Sequence, residues 1–180
     1  SIPQFLLGVE KGMDHSFSSI SDGSDMKEIR IALIGKGGMG TADTNTALSV
    51  GGVKLVAVCD LYDARLKLAK EQWGDHLFVT KDFQDILRRK DVDVVLIGTP
   101  DHWHQPIAIA AMKAGKHVYC EKPVIHKIEE GRELVDAQRA SGSYFQTGSQ
   151  GMASLGNRKA RQLVQAGIIG KVNFVDGQFT

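Results

Sequence analysis

Six short runs of β-branched and large apolar residues recur along the chain: "IRIALIG" (29–35), "VKLVAVCD" (53–60), "HLFV" (76–79), "VDVVLIGTP" (92–100), "KHVYCEKP" (116–123) and "SYFQTG" (143–148). Their near-continuous apolarity, without a polar residue at every second place, predicts strands buried on both faces, as in a parallel sheet covered by helices. Between the runs the apolar residues take helical spacing. Asp63 is positioned to cap a helix with Leu66, Ala69 and Trp73 on one face, and Asp82 to cap another carrying Phe83, Ile86 and Leu87. The stretch 104–114 is almost wholly apolar and stops at Gly115, while 127–141 carries Ile128, Leu134 and Val135 and stops at Gly142. Both glycines suit the left-handed position that ends helices. Strand and helix alternating this regularly predict right-handed crossovers and an α/β fold of the Rossmann type, with a doubly wound parallel sheet.

One more unit follows: a helix over 156–166 with Ala160, Leu163 and Val164 on one face and Gly167 after it, then a strand over 171–180. A strand with no partner after it is what the opening of another domain looks like, so only the beginning of a second α/β domain is expected in this chain. At the other end, "SFSSISDGSD" (16–25) is too polar to pack, and residues 1–26 are expected to be a loose leader.

Composition narrows the partners. With 180 residues, 42% hydrophobic and 24% charged, the chain is an ordinary globular one. Its 22 basic and 21 acidic residues leave a net charge of +1, with no basic run longer than Arg88-Arg89-Lys90, so no footprint for nucleic acid or an anionic membrane is present and a small, weakly charged ligand is expected. No apolar run approaches the ~18 residues that span a bilayer. The start "SIPQFLLGVEKG" lacks a signal-peptide pattern. Cytoplasm is then the default compartment, with export after removal of a signal the alternative. Cys59 and Cys120, far apart and each closing an apolar run, are expected as buried free thiols.

Candidate chemistry gathers where the strands end. "IRIALIGKGGMG" sets Gly35, Gly37 and Gly40 in a G-x-G-x-x-G pattern directly after a strand, and Asp60 closes the next strand twenty residues past Gly40. The first glycine permits the tight turn, the second lets backbone N–H groups approach a pyrophosphate, and the third lets the helix pack closely. An acid at position 60 can accept both ribose hydroxyls of an adenosine, which predicts a nicotinamide dinucleotide. Its charge repels a 2′-phosphate and favours NAD, while Arg65 nearby leaves NADP possible. "GTPDHWH" (98–104) offers Asp101, His102 and His104, with Cys120 and Glu121 on the next strand. These are zinc-ligand types, but the spacing argues against zinc and no metal is expected. Thr99 and Pro100 instead end a strand at the carboxyl edge, where open α/β sheets bind ligands. "YCEKP" ends its strand at the same edge. There Pro123 restricts Lys122 to extended conformations and makes a cis bond affordable, so the amine can be aimed. In a cleft partly emptied of water its ammonium pKa would fall, suiting it to donate to a substrate oxygen or pass a proton.

"RIALIGKGGMG", "VAVCD", "TPDHWHQPIAIAAMKAGKHVYCEKPV" and "GSQ" together resemble the N-terminal half of the glucose-fructose oxidoreductase / inositol dehydrogenase / MocA (Gfo/Idh/MocA) family, over about residues 27–180. The resemblance implies a Rossmann dinucleotide-binding domain over 27–150 and, from 151 to 180, the start of a domain that carries substrate contacts and mediates homo-oligomerisation. By position it implies that Gly35, Gly37, Gly38, Met39 and Gly40 meet the pyrophosphate and Asp60 the adenosine ribose. Thr99, Pro100, Asp101 and His104 would line the nicotinamide half. Glu121 and Lys122 match the family's E-K-P, with the lysine expected as the catalytic group at the substrate hydroxyl. The family's second catalytic pair, an Asp and a His, is expected beyond Thr180, and "GMASLGNRKA" from 151 departs from the arginine-rich start of many relatives. Relatives with the TPDHWH variant are often exported. The implied activity is NAD-dependent oxidation of a sugar or polyol hydroxyl, with this chain binding NAD(H) and turning over poorly. A glycoside-cleaving enzyme that oxidises its sugar transiently and a non-catalytic dinucleotide-binding module are the alternatives.

Overall fold

The computed structural model describes residues 28–177; the leader expected over 1–26 and the last three residues of the expected terminal strand lie outside them. Strands and helices alternate as β1 (Ile29–Ile34), α1 (Gly38–Leu48), β2 (Val53–Cys59), α2 (Asp63–Trp73), β3 (Phe78–Thr80), α3 (Phe83–Arg88), β4 (Val94–Ile97), α4 (His104–Lys113), β5 (His117–Glu121), α5 (Glu130–Ser141), β6 (Phe145–Gly148) and α6 (Leu155–Gln165). The strands form one six-stranded sheet in the order β3-β2-β1-β4-β5-β6, and every neighbouring pair is parallel. The sequence of connections reverses direction between β1 and β4, which opens a crevice at the carboxyl ends of those two strands.

The apolar runs of β1, β2, β4 and β5 are continuous because these inner strands are covered on both faces, whereas the edge strands β3 and β6 are only partly buried. On one face Ile31, Leu33, Leu55, Val58 and Leu96 pack with Leu66, Ala69 and Leu77 from α2 and its following loop. On the other, Ala32, Ile34, Ala57, Cys59, Ile97 and Cys120 pack under Ile86 and Leu87 of α3, Ile107, Ala108, Ala111 and Met112 of α4, and Leu134 of α5. The doubly wound α/β architecture expected from the sequence is therefore present. Among the described residues no helix is long and apolar enough to cross a membrane.

Several local expectations are corrected. Asp63 does not cap α2: Tyr62 occupies that position and no side chain caps it, while Asp63 sits inside the first turn and pairs with Lys81 at 2.8 Å. Asp82 does cap α3, accepting from the Gln84 N–H at 2.9 Å. Only Leu134 of the expected α5 stripe is buried, because the helix starts after Ile128 and Val135 faces outward. Residues 171–177 of the expected last strand have no regular structure. A strand needs a neighbour for its backbone N–H and C=O groups, and the six-stranded sheet ends at β6 without taking in this segment. α6 forms, but Leu163 and Val164 remain exposed.

Cys59 and Cys120 are free and buried. Burial, reinforced by the charge of Asp60, pushes the Cys59 thiol up to about 12, and burial beside Glu121 does the same for Cys120, also to about 12. Because the thiolate is the reactive form, neither cysteine is expected to react with Ellman's reagent at about pH 8 in the folded chain. Both should titrate once guanidinium is added. Rapid native labelling of either would show that the sheet opens at that strand.

Candidate functional site

The turn from β1 into α1 is built from backbone packed on backbone. Gly35 has φ of 93°, and a Cβ there would meet Gly98 C at 2.7 Å and Thr99 N at 2.8 Å. A Cβ on Gly40 would overlap the Gly35 carbonyl oxygen and touch Leu33 Cδ1 at 3.0 Å, and one on Gly98 would meet Gly40 Cα at 2.9 Å. Gly98, the residue after β4 that no pattern singled out, is thus the third member of this contact. It lets the start of α1 lie against the end of β4. Gly37 and Gly38 differ, since nothing lies within 4 Å of a Cβ at either. They face open space, with Met39 51% exposed beside them. Gly37 is the N-cap of α1, and neither a capping side chain nor an acidic residue occupies the first turn. The first N–H groups of the helix are therefore left for something outside the fold.

Asp60, at the end of β2, is 5% exposed. Its Oδ2 accepts from the Lys36 backbone N–H at 2.8 Å and its Oδ1 from the Tyr62 N–H at 3.0 Å. Arg65, 47% exposed at its side chain, adds Nη1 to Oδ2 at 3.4 Å and lies 5.0 Å over the Tyr62 ring. Lys36 folds inward, with Nζ donating to Gln72 Oε1 at 3.3 Å and lying 4.8 Å from the Trp73 ring. Its burial lowers the ammonium pKa against the opposing pull of Asp60. A cleft of about 580 Å³ opens in front of Asp60, between Gly35, Tyr62, Phe83, Thr99 and Trp103. Pro100 and His102 also line it. The Thr99 Oγ1 is buried and has no hydrogen-bond partner among the described residues. Asp101 opens the short 3-10 turn Asp101–Trp103 and is exposed.

The E-K-P segment follows β5 on the same edge of the sheet. The Lys122–Pro123 bond is cis. Lys122 is exposed, so the water-emptied surroundings expected for its amine are not built by the described residues. Glu121 is 4% exposed and turns inward. Its Oε1 accepts from Tyr119 Oη at 3.4 Å and from Gln150 Nε2, and its Oε2 faces the Lys122 N–H at 3.3 Å. Gln150 also donates to Asp43 Oδ1 of α1 at 3.0 Å. A Cβ on Gly148 of β6 would run into the Glu121 carboxylate and meet Tyr119 Oη at 3.0 Å, so the inward turn of Glu121 uses the space this glycine leaves. His104 is 1% exposed. Its ring spans two carbonyls, Nε2 at 2.8 Å from Thr99 O and Nδ1 at 2.7 Å from Pro123 O. A neutral imidazole has one N–H and can serve one of them at a time. The ring thus braces the ends of β4 and β5 rather than lining the cleft. Among the described residues no three His, Cys, Asp or Glu side chains are grouped to hold a metal.

Burial raises the Asp43 carboxyl pKa, the Gln150 hydrogen bond opposes the rise, and the neighbouring Glu121 charge adds to it. A carboxyl raised in the folded state binds its proton more tightly there, so its contribution favours folding most below the ordinary value of 3.8 and is lost as pH rises through the raised one. Asp43→Asn keeps an acceptor for Gln150 and removes that loss. Thermal melts across pH are expected to show the variant gaining on the parent as pH rises from about 3 to about 7. A constant difference at all pH values would refute the assignment.

Residues 29–149 match the family model of the Gfo/Idh/MocA proteins, described as an oxidoreductase family with an NAD-binding Rossmann fold. A glycosyl hydrolase family 109 protein of Solibacter usitatus is 37% identical over 124 residues, covering 63% of this chain and 28% of the relative. Inositol 2-dehydrogenase of Salmonella typhimurium is 28% identical over 152 residues, covering 83% of this chain and 45% of the enzyme. The scyllo-inositol dehydrogenase of Lactobacillus casei, solved with bound NAD(H) and scyllo-inositol, superposes with a TM-score of 0.75 at 33% identity over 81% of this chain and 43% of that one. The chain thus spans between about a quarter and a half of the length of these relatives. With its glycine turn, buried acid and 3-2-1-4-5-6 sheet covered by that match, the chain belongs to the Gfo/Idh/MocA oxidoreductase family and is its NAD-binding Rossmann part.

Proposed function

We propose that this chain is the dinucleotide-binding portion of an NAD-dependent oxidoreductase that oxidises a sugar or polyol hydroxyl by hydride transfer. The observation that carries the reading is the shared carboxyl edge, where the glycine turn, Asp60, Thr99 and the Lys122 amine end β1, β2, β4 and β5 in parallel. The geometry fits the cofactor. The uncapped N–H groups of α1 and the open sides of Gly37 and Gly38 suit a pyrophosphate. Asp60 suits a ribose hydroxyl, and the partnerless Thr99 Oγ1 suits a polar group in the cleft. Bound there, a nicotinamide would supply the hydride acceptor.

The chain's own residues do the rest. Pro100 lines the cleft, and Met39 and Asp101 are exposed at the ends of the same strands, from where they would border the bound molecule. Lys122 donates to the substrate oxygen and orients it, because its amine is solvent-facing and engages no protein partner among the described residues. Glu121 and His104 act behind it, the first by receiving the Lys122 N–H and the second by holding Pro123 and Thr99. We assign residues 27–150 to the dinucleotide domain and 151–180 to the start of a substrate and oligomerisation domain. The exposed face of α6 supports this, since Leu163 and Val164 form a stripe with nothing described against it.

Calorimetric titration with NAD and NADH tests the reading, and no heat of binding with either would overturn it. A glycoside-cleaving enzyme is the second reading, favoured by the family 109 relative. It would keep its cofactor through purification and produce no net NADH from substrate.

A further inference from the structure

We propose that Gln150 is a positioning residue of the dinucleotide cleft, its amide fastening helix α1, which would carry the pyrophosphate, to the E-K-P end of β5 through the facing carboxyls of Asp43 and Glu121. The proposal rests on the nicotinamide-dinucleotide reading of that cleft. Gln150 follows β6 and opens the 3-10 turn Gln150–Ala153. Its Nε2 lies 3.0 Å from Asp43 Oδ1 of α1 and 2.7 Å from Tyr119 Oη of β5, and it donates to Glu121 Oε1 as well. Three elements thus meet at one side chain. α1 packs chiefly on β1, β2 and β4, so this amide joins the helix to a strand beyond its main packing neighbours. Both ends of the link bear on the ligand. Asp43 is in the second turn of α1, on a Cα–Cβ bond that leans toward the helix start, and Glu121 directly precedes Lys122 and faces its N–H at 3.3 Å.

The bridge is needed because the two carboxyls oppose each other with no cation between them. Among the described residues neither acid is in an ion pair. The charged groups on the surrounding elements stand elsewhere. Arg30 and Lys54 lie near the amino ends of β1 and β2 and His117 at that of β5, while β4 carries no charge. Lys36 turns to Gln72 and Trp73, and Lys122 and the α6 cations Arg158, Lys159 and Arg161 are exposed. Of the influences on Asp43, burial and the Glu121 charge favour the neutral acid and the Gln150 hydrogen bond alone favours the carboxylate. Burial, reinforced by both acids, pushes the Tyr119 hydroxyl up to about 12, so it stays a neutral O–H. The Gln150 amide, with its two N–H groups, is then the donor that reaches both acids. Without it the carboxylates repel, and α1 is pushed from the E-K-P end unless the pair takes up a proton and one acid donates to the other.

Calorimetric titration of the whole chain with NAD tests this in the parent, Gln150→Met, Asp43→Asn and the double variant, from about pH 8 down to about pH 5. Gln150 is exposed, so Gln150→Met should leave the fold standing, which thermal melts verify. At about pH 8 Gln150→Met is expected to weaken NAD by about tenfold, the worth of one charge-assisted hydrogen bond. The loss should shrink toward the acid end, because a proton shared by the two acids replaces the missing donor. Asp43→Asn, alone or added to Gln150→Met, should bind NAD within about threefold of the parent, since its amide donates to Glu121 and the repulsion is gone. A loss of equal size at every pH, or one that Asp43→Asn does not repair, overturns the inference, because a side chain that merely packs would behave so. Full NAD affinity in Gln150→Met at about pH 8 overturns it as well and leaves the NAD reading standing. No NAD binding by the folded parent overturns the NAD reading and this inference with it.

Discussion

Gly40→Ala is expected to abolish measurable NADH binding and to lower the melting temperature. The added methyl overlaps the Gly35 carbonyl oxygen and presses on the buried Leu33 side chain at 3.0 Å. Neither can yield cheaply. The Gly35 carbonyl belongs to a turn held by its N–H bond to Cys59 O at 2.8 Å, and Gly98 closes the other side of Gly40. Relief requires α1 to move away from β4, carrying with it the N–H groups proposed to hold the pyrophosphate. Overpacking of this kind costs about 1–3 kcal/mol, which in a domain of this size is worth about 2–4 °C for each kcal/mol. Calorimetric melting and NADH titration read the two effects together. Gly38→Ala, where a Cβ meets nothing within 4 Å, is the control expected to leave stability intact. A Gly40→Ala chain with unchanged melting and NADH affinity would mean that the turn is not packed as described.

Asp60→Ala is expected to weaken NADH by about 10–100-fold, the loss of a hydrogen bond to a charged acceptor. It also harms the fold. The buried Lys36 N–H and the Tyr62 N–H lose their acceptor, and an unsatisfied buried donor costs about 1–3 kcal/mol. Asp60→Asn separates the two consequences, because its amide oxygen still accepts from one backbone donor while the charge is gone. It should melt closer to the parent and still bind NADH poorly. Unchanged NADH affinity in Asp60→Ala would remove the adenosine ribose from this position.

The strands were legible because burial on both faces leaves an apolar run that no surface strand needs, as in Ile31 to Ile34 and Val94 to Ile97. Helix α1 carries no such signal. "GMGTADTNTAL" alternates small and polar residues, and its buried members are Gly40 and Thr44, the latter bonding the Gly40 carbonyl at 2.8 Å. It is helical because β1 and β2 are parallel neighbours and require a crossover. Asp60 could be found by its distance from the glycines, since both lie on consecutive strands. Gly98, the inward turn of Glu121 and the bracing by His104 could not. Each depends on which strands lie side by side, a relation between β1, β4, β5 and β6 that short sequence patterns do not carry. Trp103 and Phe83, 6.5 Å apart at the cleft, escaped for the same reason. The strand expected after residue 170 went the other way: its pattern was present, but a β pattern stays unrealised without a neighbouring backbone.

The His104 imidazole fills the space between the Thr99 and Pro123 carbonyls, so the ends of β4 and β5 meet at one ring. A displacement of the Pro123 carbonyl presses on the same ring that meets the Thr99 carbonyl at the end of β4.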